Sequence, residues 1–373
     1  MTIQQLTAWL EAWAPLAYQE SYDNAGLLVG NPSASVTGVL VTLDITEAVV
    51  EEAVRKNCNL IVAHHPIIFR GLKKLNGRNY VERVVIKAIK NDVALYAAHT
   101  NLDNVAGGVN FQIAQKLGLQ NVRILAPKPA TLMKLVTFVP MAEEGADYAD
   151  ATQTVLNALY DAGVGQIGNY SRCSFRTEGT GTFQGNDESN PVLGQVGEEK
   201  TARENRLEVI FPAHQQHAVL RALRTAHPYE EVAYYLTTLA NDNQEVGSGV
   251  VGELPEALGE ADFLAYLKQK MNLTVIRHTP RRNKPVRRVA LCGGAGGFLL
   301  NDAVRAGADV FITADYKYHE FFDADGRILI ADIGHYESEV YTKDLIQQYL
   351  LKKNNTFAVI LSEIDTNPVS YYY

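Results

Sequence analysis

The sequence predicts an α/β protein in which two related α/β lobes form one domain, with an inserted ferredoxin-like α+β domain between them. Two observations support this prediction. Both ends of the chain alternate β-branched strands with amphipathic helices, which is the pattern of parallel strands joined by right-handed crossovers. The central third instead runs strand, helix, strand, strand, helix, strand. We therefore expect one domain over 1–128 plus 242–373, and the inserted domain over 129–241.

The first lobe begins with an amphipathic helix, and a turn-rich segment, SYDNAGLLVGNP, separates this helix from a strand that ends at Asp44. The elements that follow are the helix EAVVEEAVRKNCN, the strand LIVAHH, the helix VERVVIKAIKND, the strand VALYAAHTNLD, and a loop leading into a helix, NVAGGVNFQIAQKLGL. Strand, helix and strand within about thirty residues form a βαβ unit, so the strands are predicted to be parallel.

The last third repeats this alternation. Its elements are RRVALCGGAGG as strand and glycine loop, FLLNDAVRAGA as helix, DVFITAD and RILIADIGH as strands, and YESEVYTKDLIQQYLLKK as helix. With an offset of 250, segment 51–65 lies over 301–315: the triplet Ala-Val-Arg coincides, and His65 falls over Asp315. The shared helix–turn–strand layout indicates two related lobes that face one cleft.

The central segment differs in composition and contains a stretch rich in Gly, Ser and Thr. Its predicted elements are the strand MKLVTFVP, the helix ADATQTVLNALYDAGV, the hairpin-like NYSRCSFRTEGTGTFQGN, the strand NRLEVIFP, the helix AHQQHAVLRALRTAHP and the strand EEVAYYLTTL, with ANDNQEVGSG as the return linker. This order defines a ferredoxin-like module.

Composition narrows the class of protein. The 373 residues are 47% hydrophobic, and no uncharged apolar run approaches the roughly 20 residues of a membrane span. The three cysteines are far apart and form no CxxC pair, which disfavours disulfides and thiolate zinc sites and favours a cytoplasmic location. The net charge of −8 gives no general attraction to nucleic acid. The basic segment IRHTPRRNKPVRR is therefore interpreted as a solvated loop.

Polar residues of metal-binding type follow four predicted strands. One strand ends in His64 and His65, and another leads to His99 and Asp103. A third ends in Asp315, and the fourth ends in His335, with Glu339 one helical turn further on. Ligands of open α/β sheets collect beyond the carboxyl ends of the strands, so these side chains are expected to meet.

The adjacent histidines pose a geometric question, because neighbouring side chains in a strand point to opposite faces. At the strand end Pro66 prevents a simple continuation into helix, so the two imidazoles can reach two different ions. Five side chains are then available for two divalent cations: His64, His65, Asp103, His335 and Glu339. With a bridging carboxylate each ion has roughly three protein ligands and keeps open positions, as in catalytic sites. Zn, Fe, Mn, Co and Ni all fit such ligands. A satisfied core histidine is the ordinary alternative for a lone His-His pair.

Six motifs occur in a fixed order: SYDNAGLLVG, AHHPIIF, AHTNLDNVAGGVN, GGAGG, ADYKYHE and DIGHYESE. With these motifs the chain resembles the NIF-three-like family, also called GTP cyclohydrolase 1 type 2 homologs, over 1–125 and 245–373. The resemblance implies the same five metal ligands, with Glu339 bridging. It implies that the insert is similar to PII and divalent-cation-tolerance proteins, and that the chain assembles with itself into a toroidal homohexamer. Tyr22 stands where the family pattern suggests tryptophan.

The family name implies that a metal-activated water opens the guanine imidazole ring of GTP with loss of formate. Another hydrolysis at the same centre, such as that of a phosphoester, is the nearest alternative. A different class is a metal-binding regulatory or assembly protein whose PII-like insert senses a small ligand.

Three further residues are candidates for catalysis. Lys317, just past Asp315, is a candidate for neutralising phosphates. The glycine loop 292–298 is a second candidate for holding phosphates, because free amides at a helix start attract anions. His99 and His319 are candidates for proton transfer, and His99 alternatively orients Asp103. The competing interpretations are a tight turn for the glycine loop, a surface helix start for Lys317 and His319, and a buried structural role for His99.

Overall fold

The computed structural model describes residues 1–142, 151–353 and 356–372. It confirms a mixed α/β protein, with three sheets of five, six and four strands. The chain divides into two compact units, a larger one of Met1–Pro127 with Gln244–Tyr373 and a smaller one of Lys128–Asn243. Among the described helices, none combines the length and the apolar character that crossing a membrane requires. The three cysteines are free.

In the larger unit the strands alternate with helices along the chain. Its helices are α1 (Ile3–Trp13), α2 (Glu47–Arg55), α3 (Tyr80–Lys90), α4 (Thr100–Asp103), α5 (Val109–Lys116), α8 (Glu260–Lys270), α9 (Leu300–Arg305), α10 (His335–Glu339) and α11 (Thr342–Lys353). Its strands are β1 (Gly26–Val29), β2 (Gly38–Thr42), β3 (Leu60–Ala63), β4 (Ala94–Ala97), β5 (Gln120–Pro127), β10 (Gly247–Gly259), β11 (Arg277–His278), β12 (Pro285–Leu291), β13 (Val310–Thr313), β14 (Leu329–Asp332) and β15 (Ala358–Leu361).

The first sheet has the strand order β1-β4-β3-β2-β15. Strands β2, β3, β4 and β15 are parallel, and every residue of the central three is buried, as their continuous apolar sequences predict. The antiparallel edge strand β1 lies inside the segment predicted to be turn-rich, for which no strand was predicted. Its apolar run of three residues between turn formers is too short to predict a strand from the sequence. The strand is defined by its pairing with β4, which is distant along the chain.

The second sheet has the order β11-β14-β13-β12-β10-β5 and contains the parallel strands β12, β13 and β14. Both sheets contribute to one hydrophobic core, in which Leu60 and Val62 of the first sheet join Val310 and Ile312 of the second. The helix predicted over 336–353 is interrupted: α10 ends at Glu339 and α11 begins at Thr342.

The offset of 250 holds for one complete helix–turn–strand segment. Strand β13 spans 310–313, which is the range of β3 shifted by 250. The turns before the two strands also correspond, because Asn57 and Gly307 both have positive φ, of 53° and 68°. Such values favour Gly and Asn over other residues.

The smaller unit consists of β6 (Leu132–Pro140), α6 (Thr152–Asp161), β7 (Phe175–Gln184), β8 (Glu199–Pro212), α7 (Gln216–Ala226) and β9 (Tyr234–Thr238). All pairings in its sheet, of order β7-β8-β6-β9, are antiparallel. The βαββαβ order is that of a ferredoxin-like unit. The segment predicted to be a hairpin supplies only β7, and β8 is its partner. The predicted helix over 149–164 has its first two residues outside the described part of the chain. Similarity to PII proteins stays a prediction.

Candidate metal centre

The ends of three strands bring the five predicted ligands of the larger unit together. His64 and His65 follow β3, and Asp103 is the last residue of the short helix after β4. His335 and Glu339 are the first and last residues of α10, which begins directly after Gly334. One turn of helix therefore places both of their side chains on the same face.

The carboxylate of Glu339 is the common contact of the three histidines. Its Oε2 lies 2.9 Å from His65 Nε2, 3.0 Å from His335 Nε2 and 3.8 Å from His64 Nε2. The Nε2 atoms of His65 and His335 are themselves only 3.3 Å apart. The side chain of Glu339 is 4% exposed, so the histidine nitrogens converge on a buried anion.

Each of these rings is fixed through its other nitrogen. His64 Nδ1 donates to the carbonyl oxygen of Ala98 at 2.7 Å. His65 Nδ1 donates to Asp44 Oδ1 at 2.7 Å, and His335 Nδ1 donates to Asp315 Oδ2 at 2.8 Å. A proton held on Nδ1 leaves the lone pair of the neutral ring on Nε2, facing the cluster. This is the arrangement that orients histidines in metal sites.

Two buried polar atoms of the cluster have no hydrogen-bond partner: His64 Nε2 and Asp103 Oδ1. An unsatisfied buried polar atom costs about 1–3 kcal/mol, so such a pair needs an explanation. The two atoms are 3.6 Å apart. Two ligands of a tetrahedral ion with bonds of about 2.1 Å are about 3.4 Å apart, so a cation between the atoms satisfies both. The donor set therefore fits a metal.

The ligands fall into groups that share one carboxylate. His65, His335 and Glu339 form one group, and His64, Asp103 and Glu339 form another, each with ligand atoms within 4.8 Å of one another. Two groups that meet at Glu339 match a pair of ions bridged by a carboxylate. A third group of the same dimensions is His64, His65 and His99.

Without metal, the pKa values of the clustered side chains favour protonated histidines beside an ionised Glu339. Burial alone would lower the pKa of His65, but hydrogen bonds with Asp44 and Glu339 outweigh burial and raise it to about 10. Burial also opposes the shift at His335, where Glu339 and then Asp315 raise the pKa to about 9. Burial raises the pKa of Asp103 to about 7. The histidine hydrogen bonds keep the pKa of Glu339 well below its usual range despite burial.

His99 lies beside the cluster, with its ring centroid 5.3 Å from that of His64 and 5.4 Å from that of His65. Its Nδ1 donates to Asp23 Oδ1 at 2.7 Å, so the partner that orients this ring is Asp23. The alternative that His99 orients Asp103 stays a prediction, because this bond occupies only one nitrogen of the ring. Its place next to the ligands keeps it a candidate for proton transfer.

Lys317 and His319 are not brought to the cluster. The Lys317 side chain is 83% exposed, and its Nζ lies 3.5 Å from Glu320 Oε1. His319 is exposed in the 3₁₀ turn Tyr318–Ala324. Neither residue belongs to the lining of the cavity that contains the metal ligands.

The glycine loop after β12 is a tight turn against the ligands. The amide of Gly293 donates to Asn110 Oδ1, that of Gly294 to Ser338 Oγ, and that of Gly296 to Thr313 Oγ1, so none of these three is available to a phosphate. A Cβ on Gly294 would lie 2.3 Å from Glu339 Oε1, at a φ of +60°. Glycine is thus required here for close approach to the carboxylate, and the expectation of a phosphate cradle is wrong for these amides.

Sequence reasoning missed the roles of two carboxylates, Asp23 and Asp44. Asp44 is two residues past the end of β2, at the same sheet edge as His65, so the rule that led to the histidines also applies to it. Asp23 lies in the turn-rich segment before β1, where the sequence contains no comparable signal. The pKa of Asp23 is lowered to about 2, because hydrogen bonds with His99 and Thr100 outweigh burial.

The cluster opens into a cavity of about 620 Å³, a size that suits a small molecule. His65, His99, Asp103, His335 and Glu339 lie on its wall. Several aromatic side chains surround the opening, namely Tyr22, Phe69, Tyr80 and Phe298.

The fold and the cluster define an α/β protein whose strand ends form a histidine–carboxylate centre of metal-binding type. The family model for DUF34/NIF3, the NGG1p interacting factor 3 family, matches residues 1–368. The chain therefore belongs to the DUF34/NIF3 family, as the six motifs indicated.

Relatives of similar length share about a third of the sequence. A Bacillus subtilis protein called GTP cyclohydrolase 1 type 2 homolog is 37% identical over 99% of this chain and 98% of its own length. A Staphylococcus epidermidis protein of the same name is 34% identical over the full length of both. A solved structure of a Bacillus cereus protein related to NIF3 has a TM-score of 0.85 at 37% identity, covering 100% of this chain and 99% of that one.

Proposed function

We propose that this protein is a hydrolase that depends on two divalent cations, held by His64, His65, Asp103, His335 and Glu339. The observation that supports the proposal most strongly is the pair of buried, partnerless ligand atoms, His64 Nε2 and Asp103 Oδ1, beside three histidines aimed at one carboxylate. Their separation of 3.6 Å is too long for a direct hydrogen bond between them. A cluster that leaves them open at the wall of a large cavity suits ions that also bind a substrate or water.

The residues of the chain have separate tasks in this proposal. Asp44, Asp315 and the carbonyl of Ala98 hold the imidazoles in the tautomer that faces the cations. Ions bound there would supply Lewis acidity and a water molecule of lowered pKa at neutral pH. His99, fixed by Asp23, is placed at the cavity wall to transfer a proton to or from the substrate.

The reaction that we propose is opening of the guanine imidazole ring of GTP, with release of formate. The names of the relatives support this choice, since they are called homologs of GTP cyclohydrolase 1 type 2. Hydrolysis of a phosphoester at the same centre is the alternative within this class. We further propose that the chain assembles with itself into a ring of six, and that the smaller unit is PII-like.

The test compares His65→Ala with His217→Ala, which removes an exposed histidine in the smaller unit. Protein loaded with Mn²⁺ or Zn²⁺ is incubated with GTP and separately with bis(p-nitrophenyl) phosphate. We expect formate from GTP with the native protein and with His217→Ala, and none with His65→Ala at unchanged oligomeric state. Release of p-nitrophenol without formate would move the assignment to phosphoester hydrolysis. Absence of turnover on both substrates, with a metal-dependent change of assembly, would favour the regulatory class and contradict the proposal.

A further inference from the structure

The segment 70–79 between β3 and α3, RGLKKLNGRN, holds four basic side chains within nine residues: Arg70, Lys73, Lys74 and Arg78. All four are exposed. The chain as a whole has a net charge of −8, so this concentration of positive charge is a local departure from an acidic protein. The segment begins five residues after the metal ligand His65.

Within the described ranges, no carboxylate forms an ion pair with these four cations. Among the ion pairs of the described residues, none involves Arg70, Lys73, Lys74 or Arg78, whereas Arg277, on another wall of the centre, lies 3.0 Å from Asp332. The one carboxylate held within the segment's own turn is that of Glu82, and it accepts backbone N–H groups of Asn76 and Arg78 at 3.0 Å each. Glu82 therefore shapes the turn and leaves the charges of the basic side chains free.

The basic segment adjoins the metal centre. Its four basic residues line an open depression of about 690 Å³, and the residues shared between this depression and the metal cavity are Pro66, Ile67, Phe69 and Tyr80. Phe69 and Tyr80 are 47% and 63% exposed. Phe69 also contacts His99, with ring centroids 5.6 Å apart. Exposed aromatic faces between a metal centre and a cationic surface suit a flat heterocycle that bears anionic groups.

In the described part of the chain, the wall of the metal cavity carries carboxylates and no side chain suited to binding several phosphates. Among the described residues that line it there is no lysine or arginine, while Glu20, Asp44, Asp103 and Glu339 are all on its wall. The loop amides of Gly293, Gly294 and Gly296 are bonded to side chains, and Lys317 is not on the cavity wall. The basic side chains of segment 70–79 line the depression that adjoins this cavity.

We propose that segment 70–79 binds the phosphate groups of the substrate, while the aromatic base lies against Phe69 and Tyr80 with its reacting bond at the metal centre. This inference rests on the proposed function and assigns a substrate class to it, a nucleotide bound base-inward. That orientation presents a C–N bond of the base to the cations and keeps the phosphates away from them. It therefore selects ring opening over phosphoester hydrolysis.

The test measures binding and does not depend on turnover. Guanosine, GMP, GTP and inorganic tripolyphosphate are titrated calorimetrically into metal-loaded protein. The variants are Lys73→Gln with Lys74→Gln, and Arg78→Gln. The matched control is Arg281→Gln with Lys284→Gln, which removes two exposed charges outside both depressions.

We expect affinity to rise from guanosine to GTP in the native protein. The double substitution at 73 and 74 should weaken binding of GTP and tripolyphosphate about tenfold or more, because two exposed charged donors to the phosphates are lost. Guanosine affinity, metal content and the control pair should be unchanged. If GTP binds in this way but is not hydrolysed, the proposed function fails and this inference stands.

Three results would overturn the inference. The first is equal GTP affinity, or an equal KM for GTP, in the native protein and the double variant. The second is an equal loss in the control pair, which would indicate unspecific attraction. The third is a loss confined to assembly state or to binding of duplex DNA, which would assign the segment to a subunit contact or a nucleic-acid surface.

Discussion

The two parallel strand cores of the larger unit have the same framework and different ends. In the first sheet, ligands follow the strands directly: His64 and His65 after β3, and Asp103 shortly after β4. In the second sheet, the residue that corresponds to His65 at the offset of 250 is Asp315, which accepts a hydrogen bond from His335. The ligands of this sheet are one strand further on, at the start and end of α10.

The same arrangement of parallel strands therefore gives positions 65 and 315 different roles in the two sheets. At position 65 the histidine ring faces Glu339 and is oriented by Asp44 from the neighbouring strand end. Position 315 provides the orienting carboxylate instead. Gly294, the counterpart of Asp44 at the offset of 250, has no side chain because Glu339 lies against it. The asymmetry gives each histidine of the pair His65 and His335 its own carboxylate.

The largest effect on metal binding is expected at Glu339, which belongs to both groups of predicted ligands. Glu339→Gln keeps the shape of the side chain but removes the charge between the two groups of ligands, so we expect both cations to be lost. Asp103→Asn affects only the group with His64, so one cation per chain should remain. Elemental analysis after equilibrium dialysis measures the stoichiometry. Retention of two ions in Glu339→Gln would break the idea of a shared ligand.

The orienting carboxylates provide the second comparison. Asp44→Asn and Asp315→Asn each remove the charge that fixes an Nδ1 proton, and such changes typically weaken metal binding by about 10- to 100-fold. The effect should be larger at Asp44, whose side chain is 32% exposed, than at Asp315, which is 55% exposed. Competition with a chromogenic chelator gives both affinities. A larger loss at Asp315 would reverse our ranking of the two sheets.

The pKa shifts predict how the metal-free protein responds to pH. The pKa values of His65 and His335, about 10 and 9, exceed the ordinary value near 6.5. Their stabilisation is therefore complete below pH 6.5 and is lost as pH rises through 9 to 10. We expect the free energy of unfolding in the presence of a chelator to fall between pH 7 and 10. Metal replaces these protons, so the loaded protein should lose less over the same range, and proton release should accompany binding.

The features of the fold and site that could be predicted from the sequence are those set by residues close together along the chain. The parallel strands and the meeting of the five predicted ligand side chains follow from the sequence, because buried parallel strands have continuous apolar sequences and binding groups lie beyond their carboxyl ends. Strand β1 was missed because its identity comes from pairing with β4, which is distant in sequence. The Asp23–His99 contact was missed for the same reason. Lys317 was assigned to phosphates by nearness in sequence to Asp315, but its side chain extends into solvent.

The smallest effect, on the free energy of unfolding, is expected at the two corresponding turns that precede β3 and β13. Asn57 and Gly307 occupy corresponding positions with positive φ. Gly307→Asn should leave the free energy of unfolding nearly unchanged, since asparagine tolerates this conformation. Gly307→Ala should cost about 1–2 kcal/mol from backbone strain alone, because the added Cβ meets only Arg288 Nη1 at 3.5 Å. Urea denaturation distinguishes the two, and equal costs would contradict the correspondence.

Anomalous diffraction from crystals grown with Zn²⁺, with data collected on both sides of the zinc edge, tests the central claim most directly. The account predicts two peaks per chain that share Glu339, one beside His65 and His335 and the other beside His64 and Asp103. A single peak among His64, His65 and His99, or no peak within reach of Glu339, would contradict it.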